Sequence, residues 1–277
     1  MKLIVTHLRP DLDAATAAWL IYTHLPGWSN AEFRFIPAGS TLDNLPPDDN
    51  SDIIHVDTGL GKFDHHQFQA KLSASKMVFD HLSKMGAIAI KGQEALDRLV
   101  NYVTEIDNFA EMYFPNPNSD IYDFLLNELI EGYKAKTFDD EQVIRFAFSG
   151  LEAALQMLKN KINAEKEIKN GLIFQSKFGK TLAIETRNEE ALTVALKEGY
   201  RLVIRKDPEK GFIRLKTPPE RKYDLTAIYE IVKKKDPKAT WYLHISKNML
   251  LNGSSKNPGA VASRLSLQQL IEIVKTI

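Results

Sequence analysis

Residues 52–67 read DIIHVDTGLGKFDHHQ. The first half suits a buried strand, with Ile53, Ile54 and Val56 supplying β-branched apolar side chains and Asp57 closing the run. Thr58-Gly59 then opens a loop that carries Asp64, His65 and His66 in succession. A carboxylate followed by two imidazoles is a poor choice for a core strand or a plain surface loop. Imidazole and carboxylate are ligands for hard or borderline divalent cations, and a metal site is the better reading.

Upstream, residues 2–6 (KLIVT) predict a short buried strand ending at His7. Asp13 then opens a helix with Ala17, Leu20, Ile21 and Leu25 as its apolar positions, and Pro26-Gly27 stops it. A second strand is expected over residues 32–36, followed by a polar loop over 39–51. Strands alternating with helices imply βαβ units and a largely parallel sheet. Ligands of open parallel sheets sit beyond the carboxyl ends of the strands, where His7, Asp57 and the 64–66 loop all fall.

Downstream the pattern turns helical, with helices expected over 74–85, 93–108, 118–136, 139–148 and 151–169. The last hundred residues change again. A strand is expected over 182–186, a helix over 189–199, a hairpin of 201–205 with 212–216, a helix over 224–235, a strand over 240–246 and a helix over 266–276. That is the β-α-β-β-α-β order of a small α+β domain. The fold class expected is therefore α/β, with a parallel-sheet domain over 1–150, a connecting helix over 151–170 and a smaller mixed-sheet α+β domain over 171–277. A chain of 277 residues is long enough for two domains.

Composition narrows the function. With no cysteine, disulfides, thiolate-bound zinc and iron–sulfur clusters are excluded, so any metal rests on nitrogen and oxygen. His7, Arg9, Asp11 and Asp13 interrupt the apolar start as no secretory segment would allow, and no apolar run is long enough for a membrane span. A cytoplasmic protein without membrane contact is expected. The zero net charge hides an asymmetry: residues 1–150 carry 12 Lys+Arg against 22 Asp+Glu, and residues 151–277 carry 24 against 14. The acidic half suits cations and the basic half an anionic substrate, although mixed charges also simply solvate a surface.

The partners for a metal site lie in the acidic half. His7, Asp11 and Asp13 form His-x-x-x-Asp-x-Asp on the first strand-to-helix turn, Asp57 ends a strand, and Asp107 lies in YVTEIDNF. Two adjacent divalent cations need this many carboxylates and imidazoles, and together they clamp the attacking and leaving oxygens of a phosphoryl transfer. Taken singly the residues have plainer uses, Asp13 as a helix cap, His7 as a strand-end histidine and Asp107 as a solvent-facing helix residue. Their joint occurrence favours the metal site. His55 shares the strand face of Asp57 and is a weaker candidate, while His24 and His81 sit in apolar helical settings and read as structural.

HLRPDLDA at 7–14, Asp57, the DHH of 64–66 and Asp107 resemble the four successive motifs of the DHH phosphoesterase superfamily. That superfamily spans RecJ-type exonucleases, oligoribonucleases, family II pyrophosphatases and exopolyphosphatases. The EIDNF around Asp107 resembles a branch linked to RNA exonuclease activity. The resemblance covers about the first 110 residues. It implies His7 and Asp11 on one metal, Asp13 and His65 on the other, Asp57 bridging and Asp107 completing the second site. It further implies two ions, Mn²⁺ with Mg²⁺ or Co²⁺ as alternatives, a phosphate contact from His66 and an orienting role for Asp64. The expected substrate is a phosphodiester, in a short oligonucleotide or a dinucleotide, and the expected partner a phosphorylated small molecule or short single-stranded nucleic acid. A phosphoanhydride is the rival substrate, and a metal-bound nucleotide sensor without turnover the rival from another class.

Members of this superfamily often carry a second, substrate-binding domain with a glycine-rich loop. The counterpart expected here is Asn252-Gly253-Ser254-Ser255-Lys256, whose amides, hydroxyls and ammonium suit a phosphate. It departs from the Gly-Gly-Gly-His signature of the nuclease branches, and a polar turn would have the same composition. Arg9, His244 and Arg264 are further candidate phosphate contacts. Lys233, Lys234 and Lys235 complement a helix C-terminus.

Overall fold

The computed structural model describes residues 1–254 and 257–277, so the expected contacts from Ser255 and Lys256 lie outside the described residues. Contacts divide the chain into two compact units, Met1–Lys159 and Asn160–Ile277. The first holds β1 (Leu3–His7), α1 (Leu12–His24), β2 (Glu32–Ile36), β3 (Ile53–His55), α2 (Ala74–Lys84), α3 (Ile90–Asp107) and α4 (Leu126–Lys134). α5 (Asp140–Lys169) runs across the boundary between the units.

The first unit is built on a parallel sheet of order β2-β1-β3, Val5 pairing with Arg34 on one side and His55 on the other. The chain leaves β1 towards β2 while β3 lies on the opposite side, so the strand order reverses at β1. The crevice beyond the carboxyl ends at such a reversal is where open sheets hold ligands. α1 is buried continuously from Leu12 to Ile21, as its run of Ala and small residues dictates: with little polar surface it must be covered all round.

Two local expectations fail for instructive reasons. α1 begins earlier than expected, because Asp11, not Asp13, accepts the Ala14 amide as its N-cap. The helices expected over 139–148 and 151–169 are one helix. Gly150 is not a break: a Cβ there would collide with the Leu126 side chain, so the glycine lets α4 approach α5.

The second unit holds β4 (Leu172–Ser176), β5 (Gly179–Glu185), α6 (Glu190–Lys197), β6 (Leu202–Lys206), β7 (Ile213–Lys216), α7 (Thr226–Lys235), β8 (Trp241–Leu243), β9 (Met249–Asn252) and α8 (Leu267–Lys275). Its sheet runs β4-β5-β6-β7-β9-β8, with β5 and β6 parallel and every other pair antiparallel. Alternation splits the strands between two cores. Leu202, Ile204 and Leu215 face α7 and α8, while Leu182, Ile184 and Val203 face α6 and the end of α5 through Ala164 and Ile168. β4 and β9 escape the sequence pattern. β4 exposes Leu172 and Ile173 at a sheet edge, and β9 reads as loop because it is only four residues long.

Asn252 is fully buried, donating to Thr240 O and Val261 O and accepting from Ser263 N. Asn252→Ala removes all three bonds and leaves Thr240 O and Ser263 N without partners inside the unit, while Val261 O keeps the Thr240 amide. We expect a loss of about 3 kcal/mol, read by urea denaturation.

Candidate metal centre

Most of the clustered acidic and imidazole side chains stand at or near the end of a secondary element. His7 ends β1, and its Nδ1 donates to the Leu8 carbonyl, which turns Nε2 towards Asp57 Oδ2 at 3.3 Å. Asp11 uses one oxygen to cap α1 and brings the other to 4.0 Å from the same Nε2. Asp13, inside the first turn of α1, reaches across to accept the Ala74 and Ser75 amides at the start of α2. Its Oδ2 remains 3.9 Å from His65 Nε2. Asp57 lies two residues beyond β3 in a left-handed backbone conformation, φ 57°, which aspartate tolerates better than most residues.

His65 Nε2 lies 3.4 Å from Asp57 Oδ1 and 3.5 Å from Asp107 Oδ2. Asp107 is the last residue of α3. These ligand atoms fall into the groups His7–Asp11–Asp57, Asp13–His65–Asp107 and Asp57–His65–His66, each within 4.8 Å. Asp57 thus belongs both with His7 and with His65. A cleft of about 330 Å³ opens on the cluster and is lined by His7, Asp11, Asp57, Asp64, His66 and Asp107, with Leu60 at its edge.

Asp64 is buried and saturated by donors: Leu60 N on one oxygen, and His66 N with His66 Nδ1 on the other. It orients His66, whose ring is 60% exposed and keeps Nε2 as its free nitrogen. His55, by contrast, is committed to the 39–51 loop. Its Nε2 accepts from Leu42 N and its Nδ1 donates to Pro47 O, so it offers no nitrogen to a metal.

Three buried atoms at the centre have no hydrogen-bond partner: Asp57 Oδ1, His65 Nε2 and Asp107 Oδ2. A buried polar atom without a partner is costly, and here three of them converge with hard or borderline donor chemistry. The donor set fits divalent cations on nitrogen and oxygen ligands.

The electrostatics follow from the same crowding. Burial opposes charge on His7, but its bond to Asp57 prevails and pushes the imidazole up to about 9. The Asp57 carboxylate, 3.4 Å away, raises His65 to about 9. Burial, then the Asp57 and Asp107 charges, push Asp13 up to about 8. Burial raises Asp107 to about 6. Burial disfavours charge on Asp57 too, yet the His65 and His7 imidazoles beside its two oxygens hold it at about 2. Without a cation, protons balance the carboxylates.

No family model and no curated protein matches this sequence. Among solved structures, the chain is similar to an uncharacterized protein from Helicobacter pylori G27, at 13% identity, TM-score 0.26, covering 100% of this chain and 98% of that one. It is also similar to RecJ from Thermus thermophilus in complex with Mg²⁺, at 11% identity and TM-score 0.30, covering 99% of this chain and 49% of that one. A third likeness, exonuclease RecJ bound to manganese, has 11% identity and TM-score 0.29 and covers 99% and 89%. The chain spans about half the length of the Thermus protein. Likenesses this slight leave the site to be read from its own geometry.

The expected phosphate contacts fare differently from the metal cluster. The Arg9 guanidinium donates to the carbonyls of Thr137 (2.6 Å) and Lys134, and its amide to Asp140 Oδ2. It anchors the 7–13 turn to the end of α4. His244 sits in the β8–β9 turn, its Nδ1 bonded to Ser246, whereas Gly253 follows the opposite end of the same hairpin. The two are not brought together. Arg264 is exposed, and its amide donates to Asp236.

Gly253 and Ser254 do line a pocket of about 170 Å³, with Arg187, Arg205, Lys210 and Arg214, and with Glu189 and Asp207. These cations were missed in the sequence, since they lie on separate elements and form no motif. Gly253 itself has a steric reason: a Cβ there would collide with the Phe212 ring.

Two outcomes test these assignments. Arg9→Ala removes two bonds to carbonyls, and the expected loss is roughly 2 kcal/mol in chemical denaturation. For His7 and His65, stability gained by protonation is full below the unfolded value of 6.5 and lost as pH rises through about 9. The raised carboxyl of Asp13 loses stability in the same direction, from 3.8 up through about 8. The metal-free protein therefore melts at lower temperature as pH climbs from 6.5 towards 9. A divalent cation held by these groups would displace those protons, so the stabilising shift in Tm on adding Mn²⁺ is expected to grow over the same interval.

Proposed function

We propose that this chain is a metal-dependent phosphohydrolase whose substrate is a phosphodiester of a short oligonucleotide or dinucleotide. The observation that carries the reading is the sharing of Asp57 between two imidazole–carboxylate groups, with three buried atoms there left without partners. Two divalent cations in that position would supply Lewis-acid polarisation of the phosphoryl oxygens and activation of water at neutral pH. His7, Asp11 and Asp57 would hold one ion, and Asp13, Asp57, His65 and Asp107 the other. Mn²⁺ is the ion proposed, with Mg²⁺ or Co²⁺ accepted by the same donors.

The chain's own contribution is positioning and charge. His66 presents Nε2 to a phosphate oxygen while Asp64 fixes the ring. The half-enclosed cleft limits the water around the reacting phosphate. In the second unit, Arg187, Lys210 and Arg214 beside the Gly253 amide form a proposed anion site of their own. No helix among the described residues is long and apolar enough to cross a membrane.

Hydrolysis of short RNA, a dinucleotide and pyrophosphate with Mn²⁺, compared in parallel for the native chain and Asp57→Asn, tests the reading. We expect the native chain to exceed the variant by at least about 100-fold on the dinucleotide and short RNA. A preference for pyrophosphate would replace the phosphodiester with a phosphoanhydride. Native rates no higher than those of Asp57→Asn on all three would end the hydrolase reading.

A further inference from the structure

Eight residues other than glycine have positive φ among the described residues. Asp43, Asn44, Asp57 and Asn116 are of the types that tolerate it. Lys247 lies in the β8–β9 turn, where the conformation is ordinary. The remaining three are Arg9, Leu60 and Phe109, and all lie on segments that carry the metal cluster. Arg9 is explained by its anchoring bonds. The Leu60 amide donates to Asp64 Oδ2 and the Phe109 amide to Ile106 O, which holds both backbones, but packing does not explain a bulky side chain at either position, since they are 55% and 72% exposed.

Both positions are ones where glycine would be cheaper. Leu60, φ 54°, stands between Gly59 and Gly61 and lines the cleft. Phe109, φ 60°, follows the C-cap of α3, the position at which helices most often place glycine. It stands two residues after Asp107. Its mount is rigid, because the neighbouring Asn108 donates from Nδ2 to Leu72 O and Thr104 O. A bulky side chain held in left-handed backbone, without burial to compensate, points to a use for the side chain in solvent.

We propose that Leu60 and Phe109 form an apolar rim that receives the flat face of a nucleobase whose phosphate lies at the metal cluster. This rests on the phosphohydrolase reading and sharpens it: the site selects nucleotides over bare phosphates and pyrophosphate. The size agrees. Leu60 and Asp107 line the cleft, whose volume of about 330 Å³ lies at the lower end of the roughly 300–1,000 Å³ of small-molecule sites, and Phe109 follows Asp107 by two residues. Base–aromatic stacking is tolerant of which base is presented, so discrimination among bases is not expected.

The test is equilibrium binding by calorimetry in Mn²⁺, with AMP and ribose 5-phosphate as probes of the full chain. The native protein is expected to bind AMP about ten-fold more tightly than ribose 5-phosphate. In Phe109→Gly combined with Leu60→Gly that ratio falls to near one. The melting temperature does not drop, because glycine fits both conformations. Phe109→Trp keeps the ratio. A native ratio near one overturns the inference, as does a ratio that survives the double substitution. Loss of a dimer in sedimentation with the ratio unchanged would assign the rim to self-association instead. A preserved ratio in a native chain that cleaves no phosphodiester would remove the hydrolase and leave the rim. Cleavage with a ratio of one would do the reverse, and no binding of either probe overturns both.

Discussion

Asp57 is the constraint on which the first unit depends. A carboxylate taken out of water costs several kcal/mol unless opposite charge and hydrogen bonds meet it. This one is 3% exposed, and Asp11, Asp13 and Asp107 crowd the same few ångströms. His7 and His65 compensate from opposite sides, one on each oxygen. That arrangement requires β1 and β3 to be adjacent and parallel, so that their carboxyl ends open on one crevice. It also requires the left-handed turn at Asp57 that redirects the chain into the 58–66 loop.

The cluster is tied to the fold because some of its acids serve twice. Asp11 caps α1 and Asp13 holds the first amides of α2, so unpaired helix N-termini are satisfied by the side chains that face the imidazoles. Helix dipoles favour the charged carboxylates there, while burial works against them. The site and the packing of α1 on α2 therefore share atoms. Displacing either carboxylate would loosen a helix end as well as the cluster.

Legibility in the sequence follows the range of the interaction. β1, β2, β3 and α1 were readable because apolar periodicity and short polar breaks are local signals. His7, Asp11, Asp57 and Asp107 stand at or just beyond strand and helix ends, Asp13 in the first turn of α1 and His65 in the loop after β3, and their spacing in the chain marks them as candidates. Other features turn on distant partners. Gly150 reads as a break until Leu126 is seen against it, and Arg9 reads as a phosphate contact until its carbonyls, over a hundred residues on, are known. The expected loop at Asn252 resembles an anion turn in composition, yet its first residue is a buried brace. No sequence signal separates the two uses of an asparagine.

The second unit shows most clearly what pattern cannot show. Arg205 and Arg214 are direct cross-strand partners on β6 and β7, an arrangement that like charges disfavour. The sheet tolerates it because Glu189, just before α6, approaches both guanidinium groups, at 3.7 Å and 3.0 Å. With Asp207 also paired to Arg205, two carboxylates meet the two guanidinium groups. Lys210 and Arg187 line the same pocket, Arg187 in an ion pair with Glu209. Apolar β-branched residues at 205 and 214 would extend the sheet at less cost. Concentrating cations there instead, beside the glycine turn, suits an anion better than it suits the strand pairing. Asp207, paired with Arg205 and accepting the Glu209 and Lys210 amides, keeps the β6–β7 turn in place around that charge.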